Sequence, residues 1–418
     1  MDKLRIVGGK RLQGAVSIAG AKNSALPQIA ASLLSPYPLE LTNLPVVTDV
    51  HAMLNVVEAQ GAVVSRSAQG TTIEARALLD VDTTYETVRK MRATVLVLAP
   101  LLARNGQARV SMPGGCAIGA RPVDLHVKAL QALGAHVEID RGVIAASLNN
   151  GLRGARIVLG APSVGATATA MMAATYAKGE TEILNAAREP ELADLAACLT
   201  AMGAEIEGAG THRILINGET SWRAARHHSI PDRIEAGTYA VAAAITGGQL
   251  ELTNARLEHL ASAVQILEMM GVNVWPSDRG IVISRDGALR PVDLTTEPYP
   301  GFPTDLQAQI MALATCANGA SLIRETVFES RFMHVPELCR MGADITLKGT
   351  SALVRGGGKL YGTEVMATDL RASVSLILAA LVAEGETIVN RVYHLDRGYE
   401  QLDRKLRQCG ADIERLKG

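Results

Sequence analysis

The sequence has few aromatic residues and almost no net charge. Among 418 residues there are three Phe and two Trp, so aromatic stacking platforms for single-stranded nucleic acid are not expected. The 41 basic and 42 acidic residues leave a formal net charge of -1, and no overall field favours nucleic acid or an anionic membrane. We expect neither as a partner. Any anion must therefore be bound by local groups.

Motifs for metals, disulfides and membrane insertion are also missing. The five cysteines show no CxxC spacing, and neither HExxH nor a P-loop lysine motif occurs, so neither a metal site nor a nucleotide-triphosphate fold is indicated. The longest apolar run, residues 93–103, contains Pro100 and is too short to span a bilayer. The amino terminus lacks the features of a signal peptide. We expect a globular, cytoplasmic, monomeric protein with reduced thiols.

A short pattern recurs six times along the chain: an apolar residue, any three residues, a glycine, a small apolar residue and, two positions further on, another apolar residue. The glycines are Gly61, Gly134, Gly203, Gly271, Gly342 and Gly410. Apolar residues at helical spacing, followed by glycine and a strand-like run, predict a helix with a left-handed cap that turns into a strand. The glycines stand about 70 residues apart, which indicates a fold built by repetition.

Each repeat carries a second, alanine-rich helix followed by another strand. We expect these helices near residues 24–34, 92–103, 166–177, 234–245, 304–316 and 370–382. They are apolar on nearly all sides, so they belong inside, with sheets packed outside them. The predicted fold class is α/β: an inside-out α/β barrel of two similar domains, each with three pseudo-symmetric repeats, interior helices and outer sheets.

The predicted domain boundary lies near residues 225–231, where His227 and His228 are interpreted as solvated linker residues. The first strand precedes the first repeat and is expected to pair with the last one. This leaves 22–229 as an inserted three-repeat domain and 1–21 with 230–418 as the second domain. A ligand site is expected in the cleft between them.

The segment 111–126, SMPGGCAIGARPVDLH, is typical of a catalytic loop. Its glycines and prolines exclude a continuous helix and let the backbone approach a ligand. Arg121 follows Cys116 closely, and a nearby guanidinium favours the thiolate and offers a planar fork for carboxylate or phosphate. A structural cysteine in a tight turn is the alternative. The other four cysteines fall in or at the ends of apolar helices and are assigned no chemistry.

Polar residues stand at or just before the starts of the alanine-rich helices. In chain order, the six starts carry Lys22 and Asn23, Arg92, Ser163 and Gly165, Arg233 and Glu235, Asp305, and Arg371. A helix N-terminus already suits an anion, so converging helix ends would bind a multiply charged anion. Ordinary surface charge near helix caps is the alternative. Asp305 is a candidate general base, although a capping role is equally common.

These residues resemble the enolpyruvyl transferase (EPSP synthase-like) family along the whole chain, and most closely its members that act on UDP-N-acetylglucosamine. The motifs that carry the resemblance are GAKN at 20–23, KMRA at 90–93, PGGC at 113–116, GARP at 119–122, SVGA at 163–166, FPTD at 302–305, ESRF at 329–332, ATDLR at 367–371 and DRGYE at 396–400. The resemblance implies a transferase without cofactor. It would move the enolpyruvyl group of phosphoenolpyruvate to the sugar 3-hydroxyl by addition and elimination, releasing phosphate, in the first committed step of peptidoglycan synthesis.

The resemblance also assigns roles to residues. It implies that Cys116 is the proton donor and the target of the epoxide fosfomycin, that Asp305 is the base, and that Lys22 and Arg397 are also catalytic. The implied phosphoenolpyruvate site consists of Lys22, Arg92, Arg121, Arg331, Arg371 and Arg397. The implied UDP-sugar site consists of Asn23, Arg92, Arg121, Pro122, Val123, Asp124, Leu125, Ser163, Val164, Gly165, Asp305 and Val327.

One position departs from the family pattern, because Ala161 stands where members carry a lysine. We therefore expect one diphosphate contact to be lost and UDP-sugar binding to be weaker. Two alternative functions remain open. One is the sister reaction on shikimate 3-phosphate, against which the cysteine loop argues. The other is a non-enzymatic clamp-like scaffold, which would need a basic inner face.

Overall fold

The computed structural model describes residues 2–79, 92–112 and 123–418. The α-helices in these ranges are α1 (Lys22–Ala31), α2 (Thr48–Ala59), α3 (Leu98–Asn105), α4 (Asp124–Ala132), α5 (Val164–Ala174), α6 (Pro190–Ala201), α7 (Arg233–Thr246), α8 (Ala261–Met269), α9 (Gln307–Thr315), α10 (Val335–Arg340), α11 (Val374–Ala380) and α12 (Leu402–Gln408). Short 3₁₀-helices cover Ser32–Leu34, Arg92–Val97, Leu257–Leu260, Thr304–Leu306 and Val392–Arg397. None of the helices described is long and apolar enough to cross a membrane.

The chain divides into two compact units, each with its own hydrophobic core. The terminal unit contains residues 2–19 and 231–418, and the central unit contains the described residues between 20 and 230. Ile6 and Leu313 belong to the core of the terminal unit, and Ile29 and Leu195 to that of the central unit.

Three four-stranded sheets belong to the terminal unit. In spatial order they are β21 (Glu364–Met366), β22 (Glu386–Asn390), β1 (Lys3–Val7) and β23 (Asp412–Leu416); β15 (Asn273–Ser277), β16 (Gly280–Ser284), β14 (Gln249–Thr253) and β2 (Gln13–Ser17); and β17 (Leu294–Thr295), β18 (Ala320–Arg324), β20 (Ser351–Arg355) and β19 (Asp344–Lys348). Strand β1 is antiparallel to both β22 and β23, with Arg5 opposite Ile388 and Glu414. The predicted pairing of the first strand with the last repeat is confirmed.

The described part of the central unit also forms three sheets. They are β13 (Ala225–His228), β3 (Leu39–Thr42), β5 (Thr71–Glu74) and β4 (Val63–Arg66); β11 (Glu205–Glu207), β12 (Arg213–Asn217), β10 (Glu180–Leu184) and β9 (Arg156–Val158); and β6 (Gln107–Ser111), β8 (Val143–Ser147) and β7 (His136–Asp140).

All six sheets share one strand order. The strand after each repeat glycine lies at an edge, an antiparallel strand lies next to it, and the strand that follows the alanine-rich helix comes third. In five of these sheets a fourth strand pairs in parallel with the third, as β9 does with β10 through Ile157 opposite Ile183. The sequence repeat therefore corresponds to a repeated structural unit.

All six repeat glycines adopt the left-handed backbone conformation, with φ between 90° at Gly271 and 118° at Gly203. At the end of α2, the amide of Gly61 donates to the carbonyl of Glu58 at 3.0 Å, and that of Ala62 donates to Val57 at 3.1 Å. This pair of bonds is a Schellman cap, and its equivalent closes the helix at each of the other five glycines. The predicted helix, cap and strand are confirmed in every repeat.

The alanine-rich helices are buried on nearly all sides. Every residue of α7, α9 and α11 is buried, and α5 is buried from Ala166 to Ala174. This burial agrees with their apolar composition.

Two expectations about single residues are wrong. His227 and His228 are not in a linker, because they belong to β13, which pairs in parallel with β3. His227 is also not solvated: its side chain is 11% exposed, and its Nε2 lies 2.8 Å from Asp194 Oδ1. Cys339 lies on a helix, α10, but that helix is not apolar as expected: it buries only Val335 and Leu338, and Cys339 is exposed.

Candidate active site

Asp305 and Arg331 form an ion pair in the terminal unit. Asp305 lies in the 3₁₀-turn that leads into α9. Arg331 Nη1 is 2.7 Å from Asp305 Oδ1 and donates to Thr304 Oγ1 at 3.0 Å. The Arg331 side chain is 4% exposed, whereas that of Asp305 is 24% exposed. The structure thus brings two predicted site residues together, and leaves the carboxylate accessible to a ligand.

Glu325 connects the segments around Asp305 and Arg331, although no sequence motif singles it out. Its Oε1 accepts hydrogen bonds from Thr296 Oγ1 at 2.7 Å and from the Val327 amide at 2.8 Å. Its Oε2 accepts one from Thr304 Oγ1 at 2.8 Å. A fully buried carboxylate therefore ties the predicted UDP-sugar residue Val327 to the turn that carries Asp305.

Burial and ion pairing determine the charges of Arg331 and the neighbouring His334. Burial would lower the pKa of Arg331, but Asp305, then Asp369 and Glu325, raise it above its usual value. His334 is fully buried, and burial lowers its pKa to about 4. Neither of its ring nitrogens has a hydrogen-bond partner among the residues described. Near neutral pH, Arg331 is therefore a cation and His334 is uncharged.

Arg371 is a second buried cation of the terminal unit, in the turn before α11. Its Nη2 donates to Asp232 Oδ2 at 3.0 Å and its Nη1 to the Gly398 carbonyl at 3.1 Å. The guanidinium carbon lies 5.1 Å from the centroid of the Tyr399 ring, within the range of a cation–π contact. Burial would lower the pKa of Arg371, but Asp232 and its other neighbours raise it above its usual value.

Arg397 ends the 3₁₀-helix Val392–Arg397 and is half-buried. Burial lowers the pKa of His394 on the same helix, and Arg397 lowers it further. Asp369 interacts electrostatically with both His394 and Arg331. The segments that carry Arg331 and Arg397 therefore both lie near the Asp369 carboxylate.

In the central unit, Lys22 is the first residue of α1 and is buried. Its Nζ lies 3.4 Å from Oδ2 of Asp49, which is in the first turn of α2. Asn23 follows on α1 and is half-buried. A buried ammonium group requires a counter-charge, and Asp49 supplies it.

Two helix N-termini of the central unit lie side by side at α4 and α5. Ser163 caps α5, since its Oγ accepts a hydrogen bond from the Ala166 amide at 3.3 Å. A Cβ added at Gly165 would lie 2.9 Å from His126 Cε1 and Nε2. His126, on α4, is held through its Nδ1 by Thr169 Oγ1 at 2.8 Å. The absence of a side chain at Gly165 therefore allows this close approach.

The residues at the start of α4 differ in exposure. Val123 is buried, Leu125 packs against the central core, and Asp124 is exposed in the first turn. Val164 is 39% exposed at the start of α5. The two helix starts thus present backbone amides and the predicted UDP-sugar residues together.

Comparison with known proteins places the chain in a family. The family model described as EPSP synthase (3-phosphoshikimate 1-carboxyvinyltransferase) matches residues 6–406. The chain belongs to this family. It therefore has the mixed α/β fold of the enolpyruvyl transferases.

Two relatives within the EPSP synthase family match over the full length. The chain is 76% identical to "UDP-N-acetylglucosamine 1-carboxyvinyltransferase 2" of Mesorhizobium japonicum, with 100% of both chains covered. It is 58% identical to "UDP-N-acetylglucosamine 1-carboxyvinyltransferase" of Rhodospirillum centenum, with 100% of this chain and 99% of the relative covered.

Solved structures of the family agree with this fold. The enolpyruvyl transferase NikO from Streptomyces tendae matches with a TM-score of 0.89 and 28% identity, over 100% of this chain and 99% of NikO. EPSP synthase from Acinetobacter baumannii matches with a TM-score of 0.77 over 100% of both chains. The latter is 18% identical, so its likeness concerns the fold alone.

Three residues predicted from the family resemblance, Cys116, Arg121 and Pro122, lie outside the described residues. For Arg92, the structure describes its place at the start of a 3₁₀-helix. The roles assigned to these residues stay predictions. In the ranges that are described, no group of three or more His, Cys, Asp or Glu side chains could hold a metal ion.

Proposed function

We propose that this protein transfers the enolpyruvyl group of phosphoenolpyruvate to the 3-hydroxyl of UDP-N-acetylglucosamine, with release of phosphate, in the first committed step of peptidoglycan synthesis. The observation that carries the proposal is the 76% identity, over the whole chain, with a protein named UDP-N-acetylglucosamine 1-carboxyvinyltransferase 2. The buried guanidinium groups of Arg331 and Arg371, each held by a carboxylate, support it. Such groups suit an anion that carries both phosphate and carboxylate.

The proposed reaction has an addition step and an elimination step. In the addition, the sugar 3-hydroxyl oxygen bonds to C2 of phosphoenolpyruvate, its proton passes to Asp305, and Cys116 donates a proton to the methylene carbon. In the elimination, the bond from C2 to the phosphate oxygen breaks, the new methyl group returns a proton to the Cys116 thiolate, and the proton held by Asp305 leaves with the phosphate. The double bond is thereby restored. Cations fixed around the intermediate stabilise its negative charge.

Each cation has a proposed place in this scheme. We assign Lys22, Arg121 and Arg397 to the phosphate and carboxylate of phosphoenolpyruvate. Arg92, Arg331 and Arg371 would complete the charged surroundings. The ion pair with Arg331 holds the Asp305 side chain in one direction while part of it remains accessible, as a base that meets an incoming hydroxyl requires.

The UDP-sugar would bind at the paired helix starts of the central unit. The amides at the N-termini of α4 and α5 suit a diphosphate, and the residues there are Val123, Asp124, Leu125, Ser163, Val164 and Gly165. Asn23, Arg92, Arg121, Pro122, Asp305 and Val327 would complete the site. Ala161 supplies no cation, so we expect weaker diphosphate binding than a lysine would give.

We also propose that each unit is an inside-out α/β barrel of three pseudo-symmetric repeats, with domains at 22–229 and at 1–21 with 230–418. The three sheets found in each unit and the buried alanine-rich helices support this proposal. That the substrates bind between the domains, and that the protein is a monomer in the cytoplasm, stay predictions.

Identification of the product tests the proposed reaction. The protein is incubated with UDP-N-acetylglucosamine and phosphoenolpyruvate labelled with ¹³C at C2, and the nucleotide sugar is isolated for NMR. We expect the labelled carbon to couple to the proton on C3 of the sugar, which shows an ether at that position. Phosphoenolpyruvate alone is the control. Label on another sugar oxygen, or none in the nucleotide sugar, would contradict the proposal.

A further inference from the structure

We propose that Asp232 is a positioning residue that fixes Arg371 for the anionic groups of phosphoenolpyruvate, an inference that rests on the function proposed above. Asp232 is 4% exposed and precedes the buried helix α7. It is none of the residues that the sequence or the family resemblance suggested.

The two carboxylate oxygens of Asp232 make different contacts. Oδ1 accepts hydrogen bonds from the amides of Ile234 at 2.8 Å and Glu235 at 3.0 Å, which caps α7. Oδ2 accepts the hydrogen bond from Arg371 Nη2 at 3.0 Å. The backbone amide of Asp232 donates to the Ala19 carbonyl at 2.8 Å. These backbone hydrogen bonds fix the position of the Asp232 carboxylate, and therefore the position of the Oδ2 atom that contacts Arg371.

The charge of Asp232 is also maintained. Burial would raise its pKa, but Arg371 foremost, with the amides of Glu235 and Ile234, lowers the pKa of Asp232 below its usual value. Asp232 and Arg371 therefore form an ionised pair in a site closed to solvent, where geometry matters more than in a flexible surface pair.

Arg371 is held by further groups but retains free donors. Its guanidinium carbon lies 5.1 Å from the centroid of the Tyr399 ring. The hydroxyl of Tyr399 lies 3.0 Å from Thr238 Oγ1 on α7. A guanidinium has five N–H donors. One at Nη1 and one at Nη2 are used, and the buried Nε has no acceptor among the described residues. The contacts with Asp232 and Gly398 therefore orient an arginine that still has donors for an anion.

Two explanations of the pair give opposite predictions. If Asp232 only neutralises Arg371, its removal would leave a stronger positive field and tighten phosphoenolpyruvate binding. If Asp232 orients Arg371, its removal would weaken that binding, because charge-assisted hydrogen bonds to the substrate depend on direction.

The chain offers a matched control at Glu235. Glu235 lies in the first turn of α7, three positions after Asp232, and is buried. Its Oε2 accepts a hydrogen bond from the Ala19 amide at 2.8 Å. Its Oε1 is 2.7 Å from Lys405 Nζ, so it forms a buried ion pair that does not involve Arg371. Glu235→Gln removes a charge of the same kind at the same place in the fold.

The test is steady-state kinetics of phosphate release by the full-length protein. Asp232→Asn and Asp232→Ser both keep an oxygen that can cap α7 but lose the charge. We expect each to raise the KM for phosphoenolpyruvate by about tenfold to a hundredfold, with the KM for UDP-N-acetylglucosamine changed by less than about threefold. Glu235→Gln should leave both KM values within about threefold of the wild type. In an Arg371→Lys background, Asp232→Asn should have little additional effect, because the two residues act as one unit.

Several results would overturn the inference. They are an unchanged or lower KM for phosphoenolpyruvate in the Asp232 variants, an equal loss for both substrates, additivity with Arg371→Lys, or loss of folding in both Asp232 variants. The last would make Asp232 a purely structural residue. If the wild-type protein released no phosphate, the proposed function itself would fail, and this outcome is distinct from all the others.

Discussion

A methyl group at Gly165 tests whether the paired helix starts of α4 and α5 bind the UDP-sugar. In Gly165→Ala the new Cβ would lie 2.9 Å from two ring atoms of His126. Carbon atoms normally approach to about 3.5–4.0 Å, so the ring or the start of α5 has to move by about half an ångström or more. His126 cannot rotate freely, because its Nδ1 is held by Thr169 at 2.8 Å.

The expected cost follows from this crowding. Inserting a methyl group into a packed site costs about 1–3 kcal/mol, and we expect the variant to lose that much free energy of unfolding. A displaced α5 N-terminus would also misplace the amides proposed to bind the diphosphate. Since about 1.4 kcal/mol corresponds to a factor of ten in affinity, the Kd for UDP-N-acetylglucosamine should rise by about tenfold.

Calorimetric titration and urea unfolding measure the two effects separately. Gly160→Ala is the matched control, because a Cβ at Gly160 would have no atom within 4 Å, and we expect it to bind the nucleotide sugar normally. Adding His126→Ala to Gly165→Ala should recover part of the lost affinity. Normal binding by Gly165→Ala, or an equal loss in Gly160→Ala, would show that the start of α5 does not hold the nucleotide sugar.

Further predictions concern the chemistry and the pH dependence. Asp305→Asn should bind both substrates but lower kcat by about a hundredfold to ten-thousandfold, as measured by phosphate release; near-normal turnover would reduce Asp305 to a helix-capping residue. His334 has a pKa of about 4 when folded against an ordinary 6.5, so the unfolded chain binds the proton first and stability falls as the pH drops through this window. Urea titrations from pH 6.5 to pH 4 should show His334→Leu losing about 3 kcal/mol less than the wild type, and parallel curves would contradict burial of the neutral ring. Brief exposure to fosfomycin should label Cys116 and spare the exposed Cys339, and mass mapping that finds mainly Cys339 labelled would disprove the assignment.

The repeated part of the fold could be predicted from the sequence because its signals are local. A glycine after a helical pattern predicts a left-handed backbone conformation at that same position, and all six such glycines have this conformation. The alanine-rich helices carry no polar face, so their burial follows from composition alone.

Residue pairs distant in sequence could not be predicted in this way. Asp232 precedes an alanine-rich helix, a position typical of an N-cap residue, but its partner Arg371 is 139 positions away. Asp49 likewise stands in a first helical turn, and its contact with Lys22 depends on how α1 and α2 pack. A carboxylate near a helix start is ambiguous until the packing of the helices is known.

The histidines at the predicted boundary illustrate the same limit. The stretch around His227 lies at the predicted domain boundary, and this position alone favours a linker. Its buried partner, Asp194, lies on α6 and also accepts a hydrogen bond from Gln28 Nε2 at 2.6 Å. No local sequence pattern predicts that Asp194, on a helix distant in the sequence, lies next to His227.

The choice of acceptor substrate distinguishes the proposed reaction from the sister reaction on shikimate 3-phosphate. Phosphate release from phosphoenolpyruvate is measured with UDP-N-acetylglucosamine and, in parallel, with shikimate 3-phosphate at the same concentration. We expect rapid phosphate release with the nucleotide sugar and none above background with shikimate 3-phosphate. Release that requires shikimate 3-phosphate, or release with neither acceptor, would contradict it.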